Sequence, residues 1–73
     1  MKVVIFAWMP REKPPFFGFQ PTWVYVRKYN LKNVSEEKIK KIILKLFEEV
    51  GAYDWKVVIY NNFTHYNYYY RVE

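Results

Sequence analysis

The chain has 73 residues with no cysteine and a single histidine, which excludes disulfide bonds and zinc centres as the source of its stability. Twelve Lys and Arg against seven Asp and Glu give a formal charge of +5, which favours anionic partners and also aids solubility. A chain of this length supports one hydrophobic core, so we expect a single small domain over residues 1–73.

The first predicted element is a strand at Lys2–Met9. This run is rich in β-branched and aromatic residues and is apolar on both alternations, which is typical of a central strand. It is too short to cross a membrane as a helix, and it lacks the cationic lead and the small-residue cleavage site of a signal peptide. We therefore expect an unprocessed cytoplasmic protein with no membrane partner.

A Pro/Phe-rich loop is predicted next, at about residues 10–21. All four prolines of the chain fall in this range, which also holds Phe16, Phe17 and Phe19. Proline interrupts both helices and strand ladders, so the range is expected to contain no regular element. Its rings either fold over an exposed sheet face as a lid or project as a docking element.

The second predicted strand, Thr22–Tyr29, alternates between two kinds of side chain. One set of alternate positions is aromatic or cationic and consists of Trp23, Tyr25, Arg27 and Tyr29. The intervening positions, expected on the helix side, are the aliphatic Val24 and Val26, followed by Lys28. Because successive side chains of a strand point to opposite faces, we expect one aliphatic face against the core and one aromatic, cationic face.

A single amphipathic helix is predicted over about residues 36–50. Ser35 is a suitable N-cap, Glu36 and Glu37 lie in the first turn where the helix dipole favours negative charge, and Gly51 suits a left-handed C-terminal position. The apolar residues recur at helical spacing and form one stripe: Ile39, Ile42, Ile43, Leu46, Phe47 and Val50.

The remaining residues predict a hairpin of two strands, Trp55–Tyr60 and Phe63 to about Val72, joined by a type I′ turn at Asn61–Asn62. The first and third strands are the most apolar and belong in the middle of the sheet. The resulting fold class is α+β, a two-layer ββαββ arrangement. It has a four-stranded, mainly antiparallel sheet in the order 2-1-3-4, and the helix packs on one face.

The other face of this sheet is the candidate site, because one helix covers only one side. The alternation of side chains along the strands is expected to place rings and cations together on this face. The candidate binding residues are Trp23, Tyr25, Arg27, Tyr29, Lys56, Tyr60, His65, Tyr69 and Arg71. Bases stack on rings while Arg and Lys bind phosphates, so we expect a non-catalytic module that binds single-stranded RNA or DNA, or associates with a ribonucleoprotein. We expect no metal and no cofactor.

Two alternatives use the same residues. The aromatic face also suits a protein partner or a homodimer, and cross-strand ring pairs stabilise a small sheet without any ligand. A small ribonuclease or toxin would need His65 or a tyrosine as the base, with Arg27 or Arg71 stabilising the developing charge on phosphate. No spacing in the sequence fixes a second acid or base for that chemistry, so we do not expect an enzyme.

Overall fold

A computed structural model describes residues 1–12 and 19–73, with the backbone alone at 10–12 and 19–20. The elements are β1 (Lys2–Glu12), β2 (Phe19–Asn30), α1 (Glu36–Val50), β3 (Asp54–Asn61) and β4 (Thr64–Arg71). The four strands form one sheet in the order β2-β1-β3-β4, and every neighbouring pair is antiparallel. The predicted ββαββ arrangement and sheet order are confirmed.

The hydrophobic core lies between α1 and one face of the sheet. Alternate residues of the two central strands are buried together with one stripe of the helix: Val3, Ile5, Ala7, Trp55, Val57, Ile39, Ile43 and Leu46. Within the described part of the chain no polar or charged residue is buried. The most apolar strands occupy the centre because there they are covered on both edges by neighbouring strands.

The ends of α1 follow from local signals. The Ser35 hydroxyl accepts a hydrogen bond from the backbone N–H of Lys38 at 3.2 Å. At the other end Gly51 has a φ of 78°, and its N–H donates to the carbonyl of Phe47 at 2.8 Å. Both predicted ends of the helix are confirmed. Over residues 1–12 and 19–73, no helix has the length and apolar character needed to cross a membrane.

A β-bulge interrupts the pairing of β1 with β2. Ile5 lies opposite Arg27, but the next residue, Phe6, lies opposite Tyr25, so Val26 has no residue directly across from it. An extra residue on one strand reverses the alternation beyond it, because each side chain then points to the opposite face. The two halves of β2 therefore present different sets of residues to the helix.

This bulge overturns part of the predicted face. Arg27 and Tyr29 lie on the helix side of the sheet, where Arg27 Nη2 is 3.4 Å from a carboxylate oxygen of Glu49 in α1. Tyr29 packs against the core. The prediction that these two residues share the exposed face with Trp23 and Tyr25 is wrong, since Val26 separates the two pairs.

The hairpin of β1 and β2 extends well beyond the rest of the sheet. The strands stay paired from Pro10 opposite Pro21 to Glu12 opposite Phe19, whereas β3 accompanies β1 only as far as Ala7. The predicted loop is therefore too long at both ends. Proline is tolerated here because, among the described residues, no third strand pairs with this two-stranded ribbon and needs the missing N–H. The rest of that loop, with Phe16, Phe17 and the choice between lid and docking element, lies outside the described residues.

The turn between β3 and β4 is displaced by one residue from the predicted position. Asn61 pairs with Thr64, so Asn62 and Phe63 form the two-residue loop. Of these two, Asn62 alone has a positive φ, at 48°. The predicted type I′ turn at Asn61–Asn62 is wrong, because that turn needs positive φ at both central residues.

A tyrosine of β4 connects the sheet to the start of α1 and makes stability depend on pH. The Tyr68 hydroxyl donates to Glu36 Oε1 at 3.0 Å. Burial raises the pKa of Tyr68 above its ordinary value of 10.0, and the hydrogen bond to the Glu36 carboxylate adds to this. The neutral phenol is favoured in the folded state, so its contribution is complete below pH 10.0 and is lost as pH rises through the higher folded pKa.

We expect Tyr68→Phe to unfold with a free energy at most about 1 kcal/mol lower at neutral pH, since one solvent-accessible hydrogen bond is lost. Above pH 10.0 its stability should decline less steeply than that of the natural protein, because phenylalanine cannot ionise. Urea unfolding from neutral to strongly alkaline pH measures both effects. Tyr66→Phe, in the same strand, is the control, as its hydroxyl has no hydrogen-bond partner among the described residues. Identical pH profiles for the natural protein and Tyr68→Phe would contradict the coupling.

Candidate nucleic-acid interface

The side of the sheet away from α1, here called the open face, follows directly from the strand registers. Its members alternate with the buried residues and lie in cross-strand rows. They are Lys2, Val4, Phe6 and Trp8 of β1, Trp23, Tyr25, Lys28 and Asn30 of β2, Asp54, Lys56, Val58 and Tyr60 of β3, and His65, Asn67, Tyr69 and Arg71 of β4. The open face thus carries seven of the nine sequence-predicted site residues.

Five rings at one end of the open face form the aromatic cluster, which consists of Phe6, Trp8, Trp23, Tyr25 and Tyr69. Trp8 and Trp23 meet edge to face with ring centroids 5.1 Å apart, and Phe6 and Tyr25 do so at 6.3 Å. The centroids of Trp23 and Tyr69 are 5.9 Å apart. These last two belong to opposite edge strands, whose backbones lie roughly 14 Å apart. Their side chains must lean inward over β1 and β3 to meet.

The Lys56 ammonium lies within the aromatic cluster. Its Nζ is 4.8 Å from the centroid of Phe6 and 5.4 Å from that of Trp23, and the residue is half-buried. Both distances fall within the range of a cation–π interaction. Lys56 was predicted to bind phosphate, but here its charge is already directed at two rings.

Arg71 also has a partner, because it forms an ion pair with Asp54. Its Nη1 donates to both carboxylate oxygens of Asp54, at 2.9 and 2.8 Å, and the two residues face each other across β3 and β4. Their side chains stay accessible to solvent. Such an exposed pair neutralises part of the positive charge expected on this face but adds little stability.

The other end of the open face is more polar. Lys2 Nζ lies 5.6 Å from the centroid of the Tyr60 ring, and the rings of Tyr60 and His65 are 6.0 Å apart. Lys28 and Asn30 complete these rows, opposite Val4 and Lys2 respectively. Lys28 is exposed and has no ion-pair partner among the side chains that the structure describes. This end therefore carries the cations most accessible to a ligand.

His65, one of the two kinds of base named for the ribonuclease alternative, is not brought close to either arginine. His65 and Arg71 are six residues apart along β4, a separation of about 20 Å in an extended strand. Arg27 lies on the opposite face, beside Glu49. In the described part of the chain, no three His, Cys, Asp or Glu side chains cluster as metal ligands would.

Several rings of the open face remain accessible to a ligand. The exposed fraction is 41% for Trp8, 51% for Tyr25 and 60% for Tyr69, and it is 45% for Tyr60 at the polar end. Val58, between these two groups, is only 7% exposed although α1 packs on the opposite face of the sheet. The open face is therefore a partly packed layer of side chains whose outer ring surfaces are in contact with solvent.

Four open-face residues with a ring or a positive charge were missed by the sequence interpretation: Lys2, Phe6, Trp8 and Lys28. Three of them lie in β1, which was interpreted as buried on both sides. The signal that could have revealed them is the shared alternation of Lys2, Phe6 and Trp8, since a lysine marks the solvent side of a strand. Lys28 was assigned to the helix side and lies on the open face because of the bulge.

Comparison of the chain with models of known protein families, with curated protein sequences and with solved structures found no match.

Proposed function

We propose that the protein binds single-stranded nucleic acid through the open face. The observation that carries this proposal is the group of accessible rings of Trp8, Tyr25 and Tyr69, set on a sheet beside cationic side chains. Base stacking on such rings contributes about 1–3 kcal/mol per base and tolerates any sequence. Bases would stack on the aromatic cluster, and phosphates would be held near Lys2 and Lys28.

The distribution of charge favours an anionic partner over a second copy of the protein. The open face carries four cationic side chains and one carboxylate, that of Asp54. Two such faces packed together would bring like charges into a region of reduced solvent, which opposes association. A nucleic acid gains from the same charges, so it is the better complement to this surface.

Only part of this charge is available to phosphates, because Arg71 is paired with Asp54 and Lys56 is half-buried against two rings. Lys28 and Lys2 remain as the accessible cations, since both are exposed, although the Lys2 ammonium also lies over the Tyr60 ring. For single strands the slope of log K against log salt is about −0.7 for each phosphate contact, so two or three contacts give a slope of about −1.4 to −2.1. We therefore expect binding that is salt-sensitive but dominated by stacking.

Neighbouring cations on opposite faces of β2 supply a matched test. Lys28→Gln is expected to weaken binding of labelled single-stranded RNA and DNA and to reduce the salt slope by about 0.7, because one phosphate contact is lost. Arg27→Gln removes the same charge from the helix side and should leave the slope unchanged. Fluorescence anisotropy titrations at several salt concentrations measure the affinity, and tryptophan quenching reports stacking.

If Lys28→Gln and Arg27→Gln lowered the affinity equally, binding would depend on the net charge of the protein and not on the open face. Absence of binding to every strand type at low salt would overturn the proposal. The accessible rings would then favour a protein partner or a homodimer, which sedimentation of the natural protein and of Trp23→Ala would examine.

A further inference from the structure

A cleft of about 440 Å³ opens at the ribbon end of the aromatic cluster. Its lining consists of five aromatic residues and two charged ones: Trp8, Trp23, Trp55, Tyr69 and Tyr70, with Asp54 and Arg71. The volume falls within the range of roughly 300–1,000 Å³ found for small-molecule sites. Flat aromatic surfaces combined with a few polar groups suit a planar heteroaromatic ligand.

The ion pair in this cleft keeps unused hydrogen-bonding capacity. A single nitrogen of Arg71, Nη1, serves both oxygens of Asp54. A guanidinium has five N–H donors and a carboxylate has about four acceptor positions. Among the described residues, neither group has another hydrogen-bond partner. The pair can therefore offer a ligand an N–H donor of Arg71 next to the two acceptor oxygens of Asp54.

The nucleobases differ in how well they match that pattern. The Watson–Crick edge of guanine presents, in order, the O6 acceptor and the N1–H and N2–H donors. Adenine and cytosine each place a ring-nitrogen acceptor next to their amino donor, and uracil has one N–H between two carbonyls. Guanine therefore supplies the two adjacent donors that a carboxylate accepts.

We propose that this cleft binds a guanine base of a single-stranded nucleic acid. The base stacks against the rings of Trp8, Trp23 and Tyr69. Asp54 accepts hydrogen bonds from N1–H and N2–H, and Arg71 donates to O6. This inference rests on the proposed function and adds to it a preference for one base.

The test compares short uridine oligonucleotides that carry one central guanosine, inosine, adenosine or uridine, with anisotropy as the readout and the full chain as the protein. A two-point contact to a base edge discriminates by roughly 5- to 150-fold, so the guanosine strand should bind tighter than the uridine strand by that factor. Inosine lacks the N2 amino group and should bind at least about fivefold more weakly than guanosine. Adenosine should resemble uridine.

Asp54→Asn should abolish the preference for guanosine while leaving binding of the uridine strand within about twofold, since the amide offers one acceptor in place of two. Glu48→Gln, at an exposed position of α1, is the control for the change in charge. Circular dichroism verifies that both variants fold. The guanine site would be overturned by equal affinities for the guanosine and inosine strands. It would also be overturned if Asp54→Asn raised the affinity for all strands by the same factor. Failure of every strand to bind would instead overturn the proposed function.

Discussion

Replacement of Trp55 with alanine is expected to lower the free energy of unfolding by about 3–5 kcal/mol. Trp55 is the largest fully buried side chain in the described part of the chain, with no exposed surface, and it lies in the central strand β3. Its indole N–H donates to the carbonyl of Ala52 at 2.7 Å. Alanine leaves a cavity between sheet and helix and also leaves that carbonyl without its donor.

This loss is large relative to the total stability of a small domain. At roughly 0.05–0.15 kcal/mol per residue, 73 residues correspond to a total of about 4–11 kcal/mol. The Trp55→Ala protein should therefore be marginally folded or unfolded at 37 °C. Urea unfolding followed by far-UV circular dichroism is the appropriate measurement, because tryptophan fluorescence itself changes in the variant.

Two further variants separate the causes. Trp55→Phe keeps most of the apolar volume but loses the N–H donor, so we expect a smaller cost, about 1–3 kcal/mol. Trp8→Ala removes the same side chain from an accessible position and should cost less than Trp55→Ala. A loss below about 1 kcal/mol for Trp55→Ala would contradict its position at the centre of the core.

The elements that the sequence predicted well are those determined by neighbouring residues. Ser35 and Gly51 mark the ends of α1 because capping depends on contacts within one turn. The order of the strands followed from composition, since Lys2–Met9 and Trp55–Tyr60 are apolar enough for the centre of a sheet. Both kinds of signal are local and can be recognised without knowing which strands pair.

The errors concern pairing between distant residues. The alternation of β2 continues unbroken through Val26, so nothing in its own sequence indicates the bulge. The bulge exists only relative to β1, and its consequence is that Arg27 and Tyr29 lie on the helix side. Likewise, the ends of β1 and β2 depend on their pairing with each other, which holds Pro10 and Pro21 in the ribbon.

The sequence predicted several of the aromatic residues of the candidate site, but not the partners of its charged residues. Rings at Trp23, Tyr25 and Tyr69 lie on the open face because the strand period is two. The partners of the cations could not be predicted, since Arg71 meets Asp54 and Lys56 meets two rings only through the folded sheet. The accessible positive charges are therefore those of Lys2 and Lys28. A phosphate backbone is expected to pass near these two residues.

Tyr69→Ala is expected to weaken binding of single-stranded nucleic acid by about 1–3 kcal/mol, or roughly 5- to 150-fold, through loss of one stacking surface. Tyr66 supplies an unusually close control. Both tyrosines lie in β4, and they are exposed to similar extents, 60% for Tyr69 and 59% for Tyr66, but the register places Tyr66 on the helix side. Tyr66→Ala should therefore bind as the natural protein does.

The affinity and its salt slope distinguish a ligand platform from rings that only support the sheet. Tyr69 contacts no phosphate in the proposed complex, so Tyr69→Ala should lower affinity without changing the slope. If the rings are purely structural, Tyr69→Ala should lower the free energy of unfolding, through its lost contact with Trp23, and leave affinity unchanged. Anisotropy titrations of the folded variants decide between these outcomes, because the contact with Trp23 is lost under both explanations and only a ligand platform predicts weaker binding; urea unfolding verifies that both variants are folded under the conditions of the titration.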